Sequence, residues 1–200
     1  RVTGSALWNV EVGDVDLAYS VTMAPLVVKD KVIVGVGGGE FGIRGYVAAY
    51  DAETGEEAWK TYTIPGPGEL NHDSWQGDDW EHGGAPIWLT GSYDAELNLT
   101  YWGVGNPGPD WNPGQRPGDN LYSSSVIALD VTTGELKNHH QYHWNDSWDW
   151  DEVSAPILID FERDGRSVNG MVHAGRNGYL WYLEREADAI NFVDANPYVY

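Results

Sequence analysis

The 200-residue chain contains no cysteine. No disulfide framework and no thiolate site exists in it, and the redox compartment stays open. No apolar run reaches the about 18 residues of a membrane-crossing helix, so a transmembrane helix is excluded. The chain opens without Met or a signal peptide. It ends on Asn196-Pro197-Tyr198-Val199-Tyr200 with no closing signal. The expectation is an internal fragment, truncated at both ends. Basic residues are scarce: 11 Lys and Arg stand against 31 Asp and Glu, for a formal net charge of -20. Nucleic acid and anionic membrane surfaces are therefore poor partners, whereas a basic protein or a cation suits the surface. The plainer reading of the acidity is solubility. A long amphipathic helical pattern is also lacking.

What is present points to β-structure. Hydrophobic residues make up 42% of the chain, enough to bury a core within one ordinary domain. There are 11 Trp, 12 Tyr and 25 Gly. Trp at this density fits repeated docking in a β-fold or a ring-binding pocket. Short β-branched runs predict strands, for example at residues 25–28, 31–36, 45–50, 125–129, 155–159 and 179–183. Turn pairs separate them, among them Lys29-Asp30, Thr54-Gly55, Thr133-Gly134, Asp164-Gly165 and Asn177-Gly178.

An internal repeat organises these strands. Val47 to Glu56 matches Val126 to Glu135, each copy reading strand, Asp, two residues, Thr-Gly-Glu. Trp59 follows the first copy. Tyr182 to Asp188 reads as a degraded third copy, and Ala6-Leu7-Trp8 as the tail of an earlier one. Short antiparallel strands repeating with a turn signature and a Trp predict propeller blades. The Asp51 to Asp130 separation exceeds the roughly 40–50 residues of a plain blade. An insertion over about Ile64 to Gly83 accounts for the excess, and long loops of this kind are often functional.

Three segments carry candidate chemistry, and each has a plain alternative. Gly37-Gly38-Gly39-Glu40 lets backbone approach a flat ligand beside an acid, or is a tight connection. Gly103 to Pro109 offers the amide oxygen of Asn106 to a hard cation, or is an Asn-Pro turn. Ser147 to Ser154 holds Asp149 and Asp151 between Trp148 and Trp150, or is a solvated acidic loop. If this last segment is extended, the two carboxylates share one face and the two indoles the other. Glu40, Asn106, Asp149 and Asp151 together form an oxygen-only set suited to Ca²⁺ or another hard ion and not to zinc or copper.

The stretches Gly38 to Gly45, Gly83 to Trp88, Gly91 to Asp94, Gly103 to Pro109, Arg116 to Asn120, Trp148 to Ser154 and Arg176 to Gly178 run in one order along nearly the whole chain. In that order they resemble the quinoprotein alcohol dehydrogenases, which bind pyrroloquinoline quinone (PQQ) on an eight-bladed propeller. The Asp-x-x-Thr-Gly-Glu turn with Trp59 resembles that family's tryptophan-docking motif. The resemblance implies an all-β fold in which residues 1–200 form part of a single PQQ-binding propeller domain, about three blades of it. It implies Glu40, Asn106 and Asp149 as metal ligands, with Asp149 also the catalytic base. Trp88 matches the tryptophan under the PQQ ring, and Arg176 the basic residue that hydrogen-bonds the quinone oxygens. Thr22 matches a threonine on a PQQ carboxylate, and Gly38 and Gly39 the backbone close to the cofactor. Asp151 matches an aspartate of the lanthanide-dependent members; a trivalent ion needs more negative charge, and a third carboxylate supplies it. The alternative is Ca²⁺ with Asp151 outside its ligands.

Two positions depart from the family pattern. Gly37 stands where many members have a Ser on a PQQ carboxylate, and Pro86 stands where some methanol dehydrogenases have Thr. Pro cannot donate a hydrogen bond, so that cofactor contact is open. The resemblance further implies oxidation of primary alcohols to aldehydes, electrons passed to a cytochrome c, a periplasmic location and compatibility with a homodimer. Competing readings are a non-catalytic propeller or carbohydrate-binding module, and an enzyme of the same fold acting on sugars or polyols.

Overall fold

A computed structural model describes residues 3–199. Three four-stranded antiparallel sheets follow one another along the chain. The first consists of β1 (Leu26–Val28), β2 (Lys31–Gly35), β3 (Tyr46–Asp51) and β4 (Glu57–Tyr62). The second consists of β5 (Ser92–Asp94), β6 (Leu99–Gly103), β7 (Ser125–Asp130) and β8 (Leu136–Gln141). The third contains β9 (Ile157–Leu158), β12 (Gly170–Ala174), β13 (Tyr179–Arg185) and β14 (Ile190–Pro197). A hairpin of β10 (Phe161–Arg163) and β11 (Arg166–Val168) is inserted between β9 and β12 and closes over the Asp164-Gly165 turn. These are successive blades of a partial β-propeller.

Burial explains why the middle strands read as nearly continuous apolar runs. Side chains alternate across a strand. In β3, Val47 and Ala49 face the core shared with the second sheet, while Tyr46, Ala48 and Tyr50 pack under Val10, Val12 and Tyr19 of the N-terminal segment. In β7, Ile127 and Leu129 join that first shared core, and Val126 and Ala128 join the core shared with the third sheet. A strand covered on both faces has no polar face to show.

The repeat is a capped turn. Asp51 Oδ1 accepts the backbone N–H groups of Glu53 and Thr54, both at 2.9 Å, and the Thr54 hydroxyl at 3.1 Å. Asp130 Oδ1 accepts the same three donors from Thr132 and Thr133 at 2.8, 2.9 and 3.1 Å. Gly55 and Gly134 follow at φ +77° and +73°, a conformation that costs glycine nothing. Each glycine also leaves room for an indole. Trp8 lies on Gly55 and donates from Nε1 to Ala52 O at 3.1 Å, and Trp59 lies on Gly134 and donates to Val131 O at 2.9 Å. Trp8 is therefore the tail of a docking unit, as its position in the repeat predicts. Asn138 takes the place of Trp59 in the second copy and donates to the carbonyl of Asp188, in the turn between β13 and β14 read as the degraded third copy.

The structure has more strands than the apolar runs mark, and some limits differ. Only Ile157–Leu158 of residues 155–159 pairs as a strand. β8 and β14 form although Asn, Asp and Lys weaken their strand signal; neighbouring ladders hold them. The insertion folds over the first shared core. Its Trp75 is buried there, and short 3-10 turns at His72–Ser74 and Asp79–Glu81 shape its path. Arg44 ties it down: Nε and Nη2 donate to Ile64 O at 3.0 and 2.6 Å, and the guanidinium lies over the rings of Tyr62 and Trp80.

Candidate functional site

Strand parity decides where the candidate residues go. In consecutive antiparallel strands, alternate connections emerge at opposite ends. The β1–β2, β3–β4, β5–β6, β7–β8 and β13–β14 connections lie at one end and include the Asp-Thr-Gly turns. The β2–β3, β4–β5, β6–β7, β8–β9 and β12–β13 connections lie at the other. Gly38, Gly39 and Glu40 are on the first of these, Trp88 on the second, Asn106 on the third, Asp149 and Asp151 on the fourth and Arg176 on the fifth. Every one of them thus reaches the same end of the blades, and Thr22 joins them from the segment before β1.

A cleft of about 320 Å³ at this end is lined by Ser20, Thr22, Gly37, Gly38, Glu40, Phe41, Pro86, Trp88 and Asp151. Thr22 donates from Oγ1 to Trp88 O at 3.2 Å, which joins the N-terminal wall to the indole wall. Gly38 holds φ +113°, and a Cβ there would stand 2.2 Å from Ala18 O, so only glycine lets the chain pass. Gly39 lies just outside the lining, against the Pro86 ring. The departures at 37 and 86 have structural counterparts. Ser20 Oγ lies 3.0 Å from where a Gly37 Cβ would be, so a hydroxyl faces the cleft from the adjoining segment. Pro86 fills the floor with its ring and uses its carbonyl to accept Gly105 N–H at 2.8 Å.

Asp151 is the hub. Its Oδ1 accepts the backbone N–H of Asn106 at 3.2 Å and the Trp88 indole N–H at 3.4 Å, and its Oδ2 lies 3.5 Å from Arg176 Nη1. A Cβ on Gly105 would stand 2.6 Å from Oδ1, so glycine there admits the carboxylate. Burial raises the Asp151 pKa, and the Glu40 charge adds to that, against the hydrogen bonds and Arg176. Asp149 is pushed up to about 6, first by removal from water and then by the charges of Asp151 and Asp110, with Arg176 opposing.

The Trp148 to Ser154 segment is not an alternating strand. Asp149 holds φ +59°, which breaks the alternation. Trp148 and Trp150 nevertheless lie together, as the extended reading also expects, their rings stacked at 5.8 Å and 16°. The shape is imposed by Asp146, which the sequence pattern does not single out. It is buried, and its two carboxylate oxygens accept the N–H groups of Trp148 at 2.9 Å and Trp150 at 2.8 Å.

Three more side chains escape sequence reasoning. Arg116 is fully buried and binds the carbonyls of Pro109, Asp110 and Asp146, so one guanidinium joins the β6–β7 and β8–β9 connections. Glu152 is fully buried, with His173 Nε2 at 2.6 Å from Oε2, and the same oxygen accepts Arg176 N–H at 3.2 Å. Asp110 accepts Asn106 Nδ2 at 2.7 Å. The available signal was residue type within a motif: Arg116 stands in Arg116-Pro117-Gly118 and Glu152 directly follows Asp151.

The donor chemistry fits a hard cation. Glu40, Asn106, Asp149 and Asp151 offer oxygen alone from three connections, and both aspartates have raised pKa values, through burial first and then through neighbouring carboxylates, Asp151 and Asp110 for Asp149 and Glu40 for Asp151. Among the described residues no three Asp, Glu, His or Cys side chains close on a single point. Like charges repel, and Asp151 turns to Trp88, Asn106 and Arg176 instead. The glycine passage opposite an indole fits a flat ring.

Comparison with known proteins agrees. Residues 3–188 match the PQQ family profile described as glucose/ethanol/alcohol dehydrogenase, beta-propeller domain. The quinoprotein alcohol dehydrogenase PedH of Pseudomonas putida is 40% identical over 98% of this chain and 35% of its own length. The lanthanide-dependent methanol dehydrogenase of Methylacidiphilum fumariolicum is 40% identical over 99% of this chain and 35% of its own length. The solved structure of a europium-containing methanol dehydrogenase superposes with a TM-score of 0.92 at 39% identity, over 99% of this chain and 37% of that one. The chain spans about a third of the length of these relatives. With blades, docking tryptophans and cleft in place, the match over residues 3–188 assigns the chain to the PQQ-dependent alcohol dehydrogenase family, as part of its β-propeller.

Proposed function

We propose that the protein carrying this chain is a PQQ-dependent dehydrogenase that oxidises primary alcohols to aldehydes. The observation that carries the reading is the meeting of Thr22, Gly38, Glu40, Trp88 and Asp151, from four separate segments, on one cleft. Bound there, PQQ would supply the two-electron acceptor and a lanthanide ion, or Ca²⁺ as the alternative, the Lewis acidity. Glu40, Asn106, Asp149 and Asp151 would hold the cation. Three carboxylates among them suit a 3+ ion, and Asp151 is the one that makes the third. Trp88 would stack on the cofactor ring, with Thr22, Gly38 and Glu40 bordering it and Gly39 keeping the backbone close. Arg176, whose side chain is 55% exposed, is free to donate to the quinone oxygens as well as to Asp151.

Asp149 would accept the alcohol hydroxyl proton. A carboxyl group pushed up to about 6 is a stronger base than an ordinary aspartate and is still ionised at neutral pH. The net charge of -20 suits a basic electron acceptor such as a cytochrome c. A periplasmic site of action and a homodimeric assembly belong to the proposal on family grounds. Among the described residues no helix is long and apolar enough to cross a membrane.

The test is reconstitution of the full-length protein with PQQ and either La³⁺ or Ca²⁺. Quinone absorbance of the bound cofactor and dye reduction dependent on a primary alcohol are expected. Asp149→Ala should abolish turnover and leave the bound-quinone absorbance in place. Turnover retained in that variant would remove Asp149 as base. Failure to take up PQQ at all would return the chain to the non-catalytic propellers, and equal activation by the two cations would remove the selective role of Asp151.

A further inference from the structure

Asn106 poses a chemical problem that its neighbours solve. A carboxamide has an oxygen and a nitrogen of nearly the same shape, and only the oxygen ligates a hard cation. Asn106 is 5% exposed, so water does not choose between the two orientations. An ionised carboxylate accepts hydrogen bonds and donates none. Asp110 Oδ1 accepts from Asn106 Nδ2 at 2.7 Å, which turns the amide nitrogen to Asp110 and the oxygen away from it. Among the described residues nothing donates a hydrogen bond to that oxygen, although the backbone N–H of the same residue is used by Asp151.

We propose that Asp110 is a positioning residue of the cation site: it presents the Asn106 amide oxygen to the cation and adds its own charge behind it. The proposal rests on the PQQ-and-cation reading of the cleft. Asp110 is itself held in place. The buried Arg116 donates from Nη2 to Asp110 O and from Nε to Pro109 O, both at 3.3 Å, so the backbone on either side of the Pro109–Asp110 peptide is fixed from below. Its carboxylate stands directly behind the Asn106 amide, 2.7 Å from Nδ2, so its charge lies one carboxamide away from a cation held on the amide oxygen. Charge adds more for a 3+ ion than for a 2+ ion.

The test measures cation binding and not turnover. Full-length protein, stripped with a chelator, is titrated with Tb³⁺, read by tryptophan-sensitised luminescence, and with Ca²⁺, read by equilibrium dialysis. Asp110→Ala should weaken Tb³⁺ binding by about 10–100-fold, the usual cost of losing a group that orients a metal ligand, and weaken Ca²⁺ less. Asp110→Asn has the same shape and keeps an acceptor oxygen for Asn106 Nδ2, so it should recover part of the lost affinity. Thermal unfolding of the cation-free variants should match wild type. Wild-type affinity in Asp110→Ala would overturn the role of Asp110 and leave the cation site standing. Equal losses for both cations, with a lowered unfolding temperature, would make Asp110 a structural residue and overturn the proposal. Wild type that binds neither cation would overturn the site itself and the role with it.

Discussion

The two ends of the blades are built on different rules. At the turn end, two connections repeat the same hydrogen bonds to within a tenth of an ångström, and each receives an indole from the neighbouring segment. At the site end no two connections are alike. One is a glycine passage, one an insertion, one an Asn-Pro loop tied to a buried arginine, and one a kinked acidic segment. The turn end spends its polar groups on its own backbone: Asp51 and Asp130 are both made more acidic by the N–H groups they accept. At the site end burial first, and neighbouring carboxylates after it, make Asp110, Asp149 and Asp151 less acidic. Stability and chemistry have been placed at opposite ends of the same strands.

The largest expected effect separates the two ends. Trp59→Ala removes a buried indole, its bond to Val131 O and its cover on Gly134. Such truncations cost about 3–5 kcal/mol. Urea unfolding should show a lowered midpoint, and PQQ uptake by the protein that remains folded should be unchanged. Asp149→Ala should do the converse and leave the midpoint close to wild type. A Trp59→Ala variant that loses cofactor in the folded state would show that the ends are coupled through the strands.

The same division explains what could be read from sequence. The Asp-x-x-Thr-Gly-Glu turn is legible because each letter has one local job: Asp accepts, Thr accepts and donates, Gly supplies the positive φ. Alternation in β3 and β7 is legible as apolar runs, because both faces are covered. The site residues Glu40, Asn106, Asp149 and Asp151 were legible as oxygen donors, and their meeting at one end follows from strand parity. The local shape around Asp149 was not. Alternation assumes an extended backbone, and the left-handed turn at Asp149 is set by Asp146, whose two bonds to the following backbone no residue pattern displays. Arg116, Glu152 and Asp110 were missed for a related reason. Each acts on a residue that is near in space through a separate loop or an amide orientation, and neither leaves a periodic trace.

A smaller effect sharpens the comparison within the turn end. Asn138 occupies the place of Trp59 one blade on and reaches the Asp188 carbonyl with an amide in place of an indole. The β8 strand that carries it is half-buried throughout. Asn138→Ala should therefore cost about 0.5–1.5 kcal/mol, the net worth of one hydrogen bond, against the larger loss for Trp59→Ala. Equal losses at both positions in the same urea assay would mean that indole burial is not what locks the first two blades.

The smallest effect tests the charge imbalance at the site end through pH. Asp149 titrates at about 6 in the cation-free folded chain and at about 3.9 when unfolded. Between these values the folded state binds more protons than the unfolded state, so stability falls as pH rises through this window. Below the window Asp149 is protonated in both states and contributes nothing; above it the full penalty persists. Cation-free wild type and Asp149→Asn should therefore unfold alike near the lower limit, with the variant the more stable above the upper one. Comparing the two proteins removes the opposite contributions of Asp51, Asp130 and Asp146, whose pKa values are lowered and whose stabilisation is lost on acidification. A gap that stays constant across the window would show that Asp149 carries no such strain. Saturating La³⁺ should reverse the order at neutral pH, because a bound cation favours the ionised carboxylate that the empty site penalises. Asp51 at the turn end has its charge satisfied by backbone N–H groups, and neutralising it should cost stability with or without the ion.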